Sequence, residues 1–142
     1  MDATTLEAEI VDLTYDGLGV AILDGKRFFV PGCLPTERVL LVPRGGRRKY
    51  QQADLVEVLE PAAERAVPPC EYFGRCGGCA VQHLTPVAQL SFKETTAREV
   101  FLRIGGVQPE EWLTSIQGPQ WNYRRKARLG VRFVEGKGRV LV

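Results

Sequence analysis

No apolar run in this 142-residue chain approaches the roughly 20 residues that cross a bilayer, so no membrane-spanning helix is expected. The N-terminus, Met1-Asp2-Ala3-Thr4-Thr5-Leu6-Glu7, lacks the basic-then-apolar order of a secretory signal. The expectation is a cytoplasmic monomer with no membrane partner. A Gly-rich strand–helix fingerprint of the cofactor-binding kind is also missing, and "GGRRKY" is a basic loop rather than a phosphate cradle. Histidine occurs once, as His83, and cysteine four times. In a reducing compartment, clustered thiols are ligands or redox groups more often than disulfides.

Length allows one ordinary domain or two small ones. The formal net charge of +2 says little about partners, but its distribution says more. The first 25 residues hold six acids and no base, whereas residues 120–142 hold seven bases against the single acid Glu135. A smaller cluster comprises Arg44, Arg47, Arg48 and Lys49. Such asymmetry suggests a polyanion contacted at specific faces.

The first sixty residues read as five short strands and no helix. Leu6–Val11 alternates partly, Gly19–Leu23 is apolar, and Asp24-Gly25 signals a hairpin before Lys26–Val30. Pro31-Gly32 breaks that strand, and Arg38–Val42 and Gln52–Leu59 supply two more. Short strands with Gly-rich turns point to a small closed, OB-like barrel, which removes sheet edges; another small all-β module would share the pattern. Phe28, Phe29 and Tyr50 are either core residues or platforms for stacking on single-stranded bases. Residues 60–69, with Pro61, Pro68 and Pro69, read as a linker. Thr85 then suits a helix N-cap and Pro86 the first helical position. Val87, Leu90, Ala97, Phe101 and Ile104 recur near helical spacing as a core-facing stripe, and Gly105-Gly106 stops the helix.

In "YRRKARLGVRFV", Ala127, Leu129, Val131 and Phe133 alternate with Arg124, Lys126, Arg128 and Arg132. The pattern predicts one strand with a buried face and a cationic face. With Arg125, the cations are candidate phosphate contacts; the competing reading is a solvated face of a one-sided sheet. Glu135-Gly136-Lys137-Gly138 reads as a hairpin turn, and Arg139–Val142 as a return strand that looks cut short.

Cys70, Cys76 and Cys79 have the spacing C-x5-C-x2-C, with Gly77-Gly78 letting the backbone turn tightly and aim amides at a sulfur. Thiolates suit zinc or an iron–sulfur cluster. His83 would complete a Cys3His zinc tetrahedron within the loop, whereas a cluster calls for a fourth cysteine. Cys33, in "VPGCLPTERV", reads as a small buried hydrophobe rather than a ligand. Spacing leaves zinc and cluster nearly even, with metal-free thiols or a redox switch behind them.

"CEYFGRCGGCAVQHL" resembles the cysteine signature of bacterial 23S rRNA (uracil-5-)-methyltransferases that carry a [4Fe-4S] cluster. "DGLGVAILDGKRFFVPGCLPTERV" resembles the TRAM domain of those enzymes, a small RNA-binding β-barrel, and "QLSFKETTAREVFLRIGG" and "WNYRRKARLGVRF" fit in order and spacing. The resemblance implies a mainly β fold with an α+β continuation. Residues 1–60 would be the TRAM-like barrel, 61–84 the linker and cluster loop, and 85–142 the start of a central domain with a helix and basic hairpin. It implies that Cys70, Cys76 and Cys79 ligate the cluster, that His83 does not, and that a fourth cysteine lies beyond Val142. Tyr72 and Phe73 would shield the cluster, which would fix the loop. RNA, ribosomal RNA above all, would be the partner, contacted by Arg124, Arg125, Lys126, Arg128, Arg132, Arg47, Arg48 and Lys49. Methyl transfer from S-adenosylmethionine would belong to a further C-terminal domain, where a cysteine adds to uracil C6 and a general base removes the C5 proton. No catalytic residue would lie in this chain, which alone should be inactive. A different class remains open: a stand-alone RNA-binding adaptor with a zinc loop closed by His83.

Overall fold

The computed structural model describes residues 4–44, 50–128 and 130–141. The chain divides into two compact units, one running to Glu110 and the other starting at Glu111.

The first unit opens with the expected five strands: β1 (Leu6–Leu13), β2 (Leu18–Leu23), β3 (Lys26–Pro31), β4 (Arg38–Pro43) and β5 (Tyr50–Glu60). They close into a barrel in the order β1-β2-β3-β5-β4, with β4 pairing back onto β1. All pairs are antiparallel except β3–β5, so the barrel is mixed. The β2–β3 hairpin turns at Asp24-Gly25, both with positive φ (49° and 73°), the conformation for which an Asp-Gly pair is suited. In β1, Ala8 and Ile10 point inward while Glu7, Glu9 and Val11 face out. Ala21, Phe28, Val30, Val39, Leu41, Ala53 and Cys33 complete the core. Phe28 is therefore not a stacking platform: at 4% exposure its ring fills the barrel, whereas Phe29 is half-buried and Tyr50 exposed.

A register shift between Ile10 and Asp12 bends β1, and Leu13 packs into a second apolar cluster with Leu34, Ala62, Val81, Leu84, Ala88 and Phe92. This cluster lies where the 61–69 segment, the end of the cysteine loop and the start of the helix meet. Helix α1 spans Pro86–Arg103. The Thr85 hydroxyl accepts from the Ala88 amide (3.4 Å), and Pro86 occupies the first turn, as expected. The helix ends as Gly105 N–H donates to Val100 O (3.1 Å), with Gly106 at φ 61°. The expected core-facing stripe is not formed: Val87 is 80% exposed and Ile104 82%, and no residue of α1 is fully buried. The attached stripe runs instead through Ala88 and Phe92, because the second cluster, not the barrel core, receives the helix.

Among its described residues the second unit contains one hairpin, β6 (Val131–Val134) and β7 (Gly138–Leu141), turning through Gly136 (φ 77°). The long one-sided strand predicted from Arg124 onward is not observed. Residues 123–128 are irregular, and Val131 and Phe133 are 61% and 77% exposed. A two-stranded ribbon buries too little apolar surface to extend itself, so alternation alone did not produce a strand.

Candidate cysteine loop and cationic segment

The cysteine loop has a closed stem and an open tip. Arg65 and Leu84 form an isolated antiparallel bridge. Ala66 N–H donates to His83 O (2.8 Å) and Thr85 N–H to Glu64 O (2.9 Å), so the two arms are zipped at their base. The tip is a series of turns: Phe73 N–H reaches Cys70 O (3.1 Å), and Arg75 and Cys76 N–H reach Tyr72 O (3.0 and 3.1 Å). Gly74 and Gly77 adopt φ values of 79° and 70°, which glycine takes without the Cβ penalty. The Gly78 amide lies 3.5 Å from Cys76 Sγ, the kind of sulfur-directed donor the glycine pair suggested.

Cys70 is half-buried, and Cys76 and Cys79 are exposed. As donors, three thiols on one short loop with an amide turned to sulfur suit either zinc or a cluster. Among the described residues, however, no group of three or more His, Cys, Asp or Glu side chains stands close enough to hold a metal ion. The tip as it stands does not gather its thiols.

His83 is not brought to them either. It is 1% exposed, its Nε2 lies 3.5 Å from Cys33 O, and the Phe73 ring packs on it at 5.4 Å between centroids. Phe73 thus covers His83, while Tyr72 stays 56% exposed. Burial and the nearby Arg65 charge push the His83 pKa down, against the opposing pull of the Cys33 carbonyl. Cys33 is fully buried, and burial together with the Glu37 charge pushes its thiol up to about 12, an inert neutral group.

Beneath the stem lies a buried ion pair. Glu37, at the mouth of β4, has a fully buried side chain. Its carboxylate accepts from the Leu34 amide (2.8 Å), the Ala62 amide (3.2 Å) and Arg65 Nε (2.5 Å) and Nη2 (2.7 Å). Arg65 Nη2 also donates to Gly32 O (2.7 Å). Burial acts to raise the Glu37 pKa, but the Arg65 fork and the two amides outweigh it, and the carboxyl is held below its ordinary range. Neither Glu37 nor Arg65 stood out in the sequence: Glu37 reads as a polar loop residue and Arg65 as part of a linker. Their partnership spans 28 positions, which no local pattern records.

The cations separate into distinct settings. Arg124, Arg125, Lys126 and Arg128 lie exposed on irregular backbone, with the Arg124 guanidinium 5.6 Å from the Tyr123 ring centre, and Arg132 is exposed on β6. No ion pair among the described residues involves them. Arg44 is instead engaged by Asp54, through Nε at 2.8 Å from both carboxylate oxygens and through Nη2. Arg47, Arg48 and Lys49 lie outside the described residues. No helix among the described residues is long and apolar enough to cross a membrane.

No family model matches the chain. Curated relatives do. The 23S rRNA (uracil(1939)-C(5))-methyltransferase RlmD of Nitrosococcus oceani is 48% identical over 137 residues, covering 96% of this chain and 31% of the relative. That of Thiobacillus denitrificans is 49% identical over 134 residues, covering 94% and 31%. The chain is homologous to the N-terminal part of these enzymes. The RlmD protein of Bordetella pertussis matches at 44% over 137 residues, covering 96% of this chain and 29% of its own length. The chain thus spans about a third of the RlmD relatives it matches.

Proposed function

We propose that the chain is the RNA-binding and [4Fe-4S]-binding N-terminal portion of an S-adenosylmethionine-dependent RNA (uracil-C5)-methyltransferase acting on 23S rRNA in the cytoplasm. The observation that carries this reading is 48% identity across 96% of the chain to a relative named for that reaction. The closed five-stranded barrel supports residues 1–60 as a TRAM-like RNA-binding module. Residues 61–84 are the cluster loop, and 85–142 begin a central domain.

Cys70, Cys76 and Cys79 are the cluster ligands of this chain, and the exposure of the last two leaves them open to iron. Bound there, the cluster supplies a crosslink that fixes the loop tip. Arg124, Arg125, Lys126, Arg128 and Arg132 contact RNA phosphates, joined by Arg47, Arg48 and Lys49. The exposure of Arg124, Arg125, Lys126, Arg128 and Arg132 supports a salt-sensitive grip carrying little base information. The residues of this chain bind and orient RNA, and methyl transfer belongs to an S-adenosylmethionine domain.

Anaerobic treatment of the chain with ferrous iron and sulfide tests the cluster. A brown, oxygen-sensitive protein that loses its iron in Cys76→Ser but keeps it in His83→Ala supports the assignment. A colourless protein that binds zinc and depends on His83 would replace it with the zinc adaptor. For RNA, Arg124→Glu with Lys126→Glu should weaken binding of a 23S rRNA fragment and flatten the salt dependence by about two phosphate contacts.

A further inference from the structure

Both arms of the cysteine loop are seated on the barrel. The incoming arm is held by Arg65, whose guanidinium bridges Glu37 and Gly32 O, at the end of β3 and the entry to β4. The outgoing arm is held by His83 against Cys33 O and by Leu84 in the second apolar cluster. A third contact comes from the β1–β2 turn. Gly17 (φ 86°) is packed so closely under Ala80 and Val81 that a Cβ there would stand 3.1 Å from Ala80 Cβ and 3.1 Å from Val81 Cγ1. Ala80 directly follows Cys79. The turn is itself pinned: Gly17 N–H donates to Thr14 O (2.8 Å), and Thr14 Oγ1 accepts from Leu18 N–H (2.9 Å).

We propose that Glu37, Arg65 and Gly17 are positioning residues that seat both arms of the cysteine loop on the barrel before any cluster binds, leaving only the tip to be shaped by iron. This rests on the reading of Cys70, Cys76 and Cys79 as cluster ligands for its functional meaning, though the contacts that make the seat involve none of those three thiols. Glu37 is suited to the task because one carboxylate collects the β3–β4 connection (Leu34 N–H), the segment after β5 (Ala62 N–H) and the loop arm (Arg65). A guanidinium fork matches both oxygens of that carboxylate and leaves a donor for Gly32 O, a geometry that lysine lacks. Gly17 works by absence, because any side chain there would push on the arm next to Cys79.

The test uses the whole chain after chelation, comparing wild type with Arg65→Lys and Gly17→Val. Hydrogen exchange should show slow amides at Ala66 and Thr85 in the metal-free wild type. In Arg65→Lys those amides should exchange about tenfold faster or more, while Ile10, Ala21 and Val30 in the barrel keep their protection. Gly17→Val should accelerate the outgoing arm around Val81 and Leu84 in the same selective way. After anaerobic treatment with ferrous iron and sulfide, each variant should show the visible cluster absorbance of wild type but lose it several-fold sooner under chelator. Unchanged stem exchange in both variants, or equal acceleration of stem and barrel, overturns the proposal. A wild type that takes up no iron removes the cluster reading while the exchange result still decides the seat.

Discussion

In β3, Phe28 and Val30 are 4% and 0% exposed; in β6, Val131 and Phe133 are 61% and 77% exposed. In β3 Phe29 separates Phe28 from Val30, in β6 Arg132 separates Val131 from Phe133, and both strands belong to antiparallel hairpins with glycine at the turn. The difference is what closes over the apolar face. β3 is flanked by β2 and β5 in a closed barrel that gathers Ile10, Val39 and Leu41 into the same core as Phe28. Among the described residues, β6 pairs only with β7. Alternation therefore states which side chains share a face, and closure decides whether that face becomes a core.

The sharpest way to break the comparison is to remove the same ring in the barrel. Phe28→Ala should cost about 3–5 kcal/mol, as ring deletions in close-packed cores do. The readout is the urea midpoint of the first unit followed by far-ultraviolet circular dichroism. Both tryptophans, Trp112 and Trp121, lie beyond Glu110 and so report on the second unit instead. A cost below about 1 kcal/mol would mean that Phe28 is not packed as the barrel requires.

Much of this barrel was legible from local pattern. Asp24-Gly25 marked its hairpin, Pro31 ended β3, and Thr85-Pro86 marked the helix start, because each depends on chemistry within a few residues. The seat of the cysteine loop was not legible. Nothing local sets Glu37 apart until Arg65, 28 positions on, is paired with it, and the spacing that offers His83 as a zinc ligand says nothing of the Cys33 carbonyl, 50 positions away, beside which it lies. The helix stripe failed for a related reason. Spacing identified apolar residues on α1, but the surface that receives a helix is set by tertiary partners, here Leu13, Leu34 and Ala62.

Acid should loosen the first unit by a smaller, graded amount. His83 is held below its ordinary value of 6.5 and Glu37 below 4.5. Each binds fewer protons folded than unfolded, so stability rises with pH through both. As pH falls below 6.5, unfolded chains take up a proton that folded His83 resists; below 4.5, Glu37 adds its share as the pH approaches its lowered value. The urea midpoint should therefore decline in two stages. His83→Gln should flatten the upper stage and Glu37→Gln the lower one. A midpoint that rises on acidification from neutral would contradict both assignments.

The smallest effect is expected where the comparison began, at Phe133→Ala. The ring is 77% exposed, so little apolar surface returns to water when it is removed, and β-propensity supplies the remaining loss. The expected cost to the second unit is at most about 0.5 kcal/mol, read by tryptophan fluorescence during urea unfolding. The same substitution at Phe28 and Phe133 thus separates closure from pattern, since residue type and strand conformation are shared and only the covering differs. A cost at Phe133 matching that at Phe28 would mean that the β6 face is covered in solution. The alternating segment would then behave as the one-sided sheet that its sequence describes.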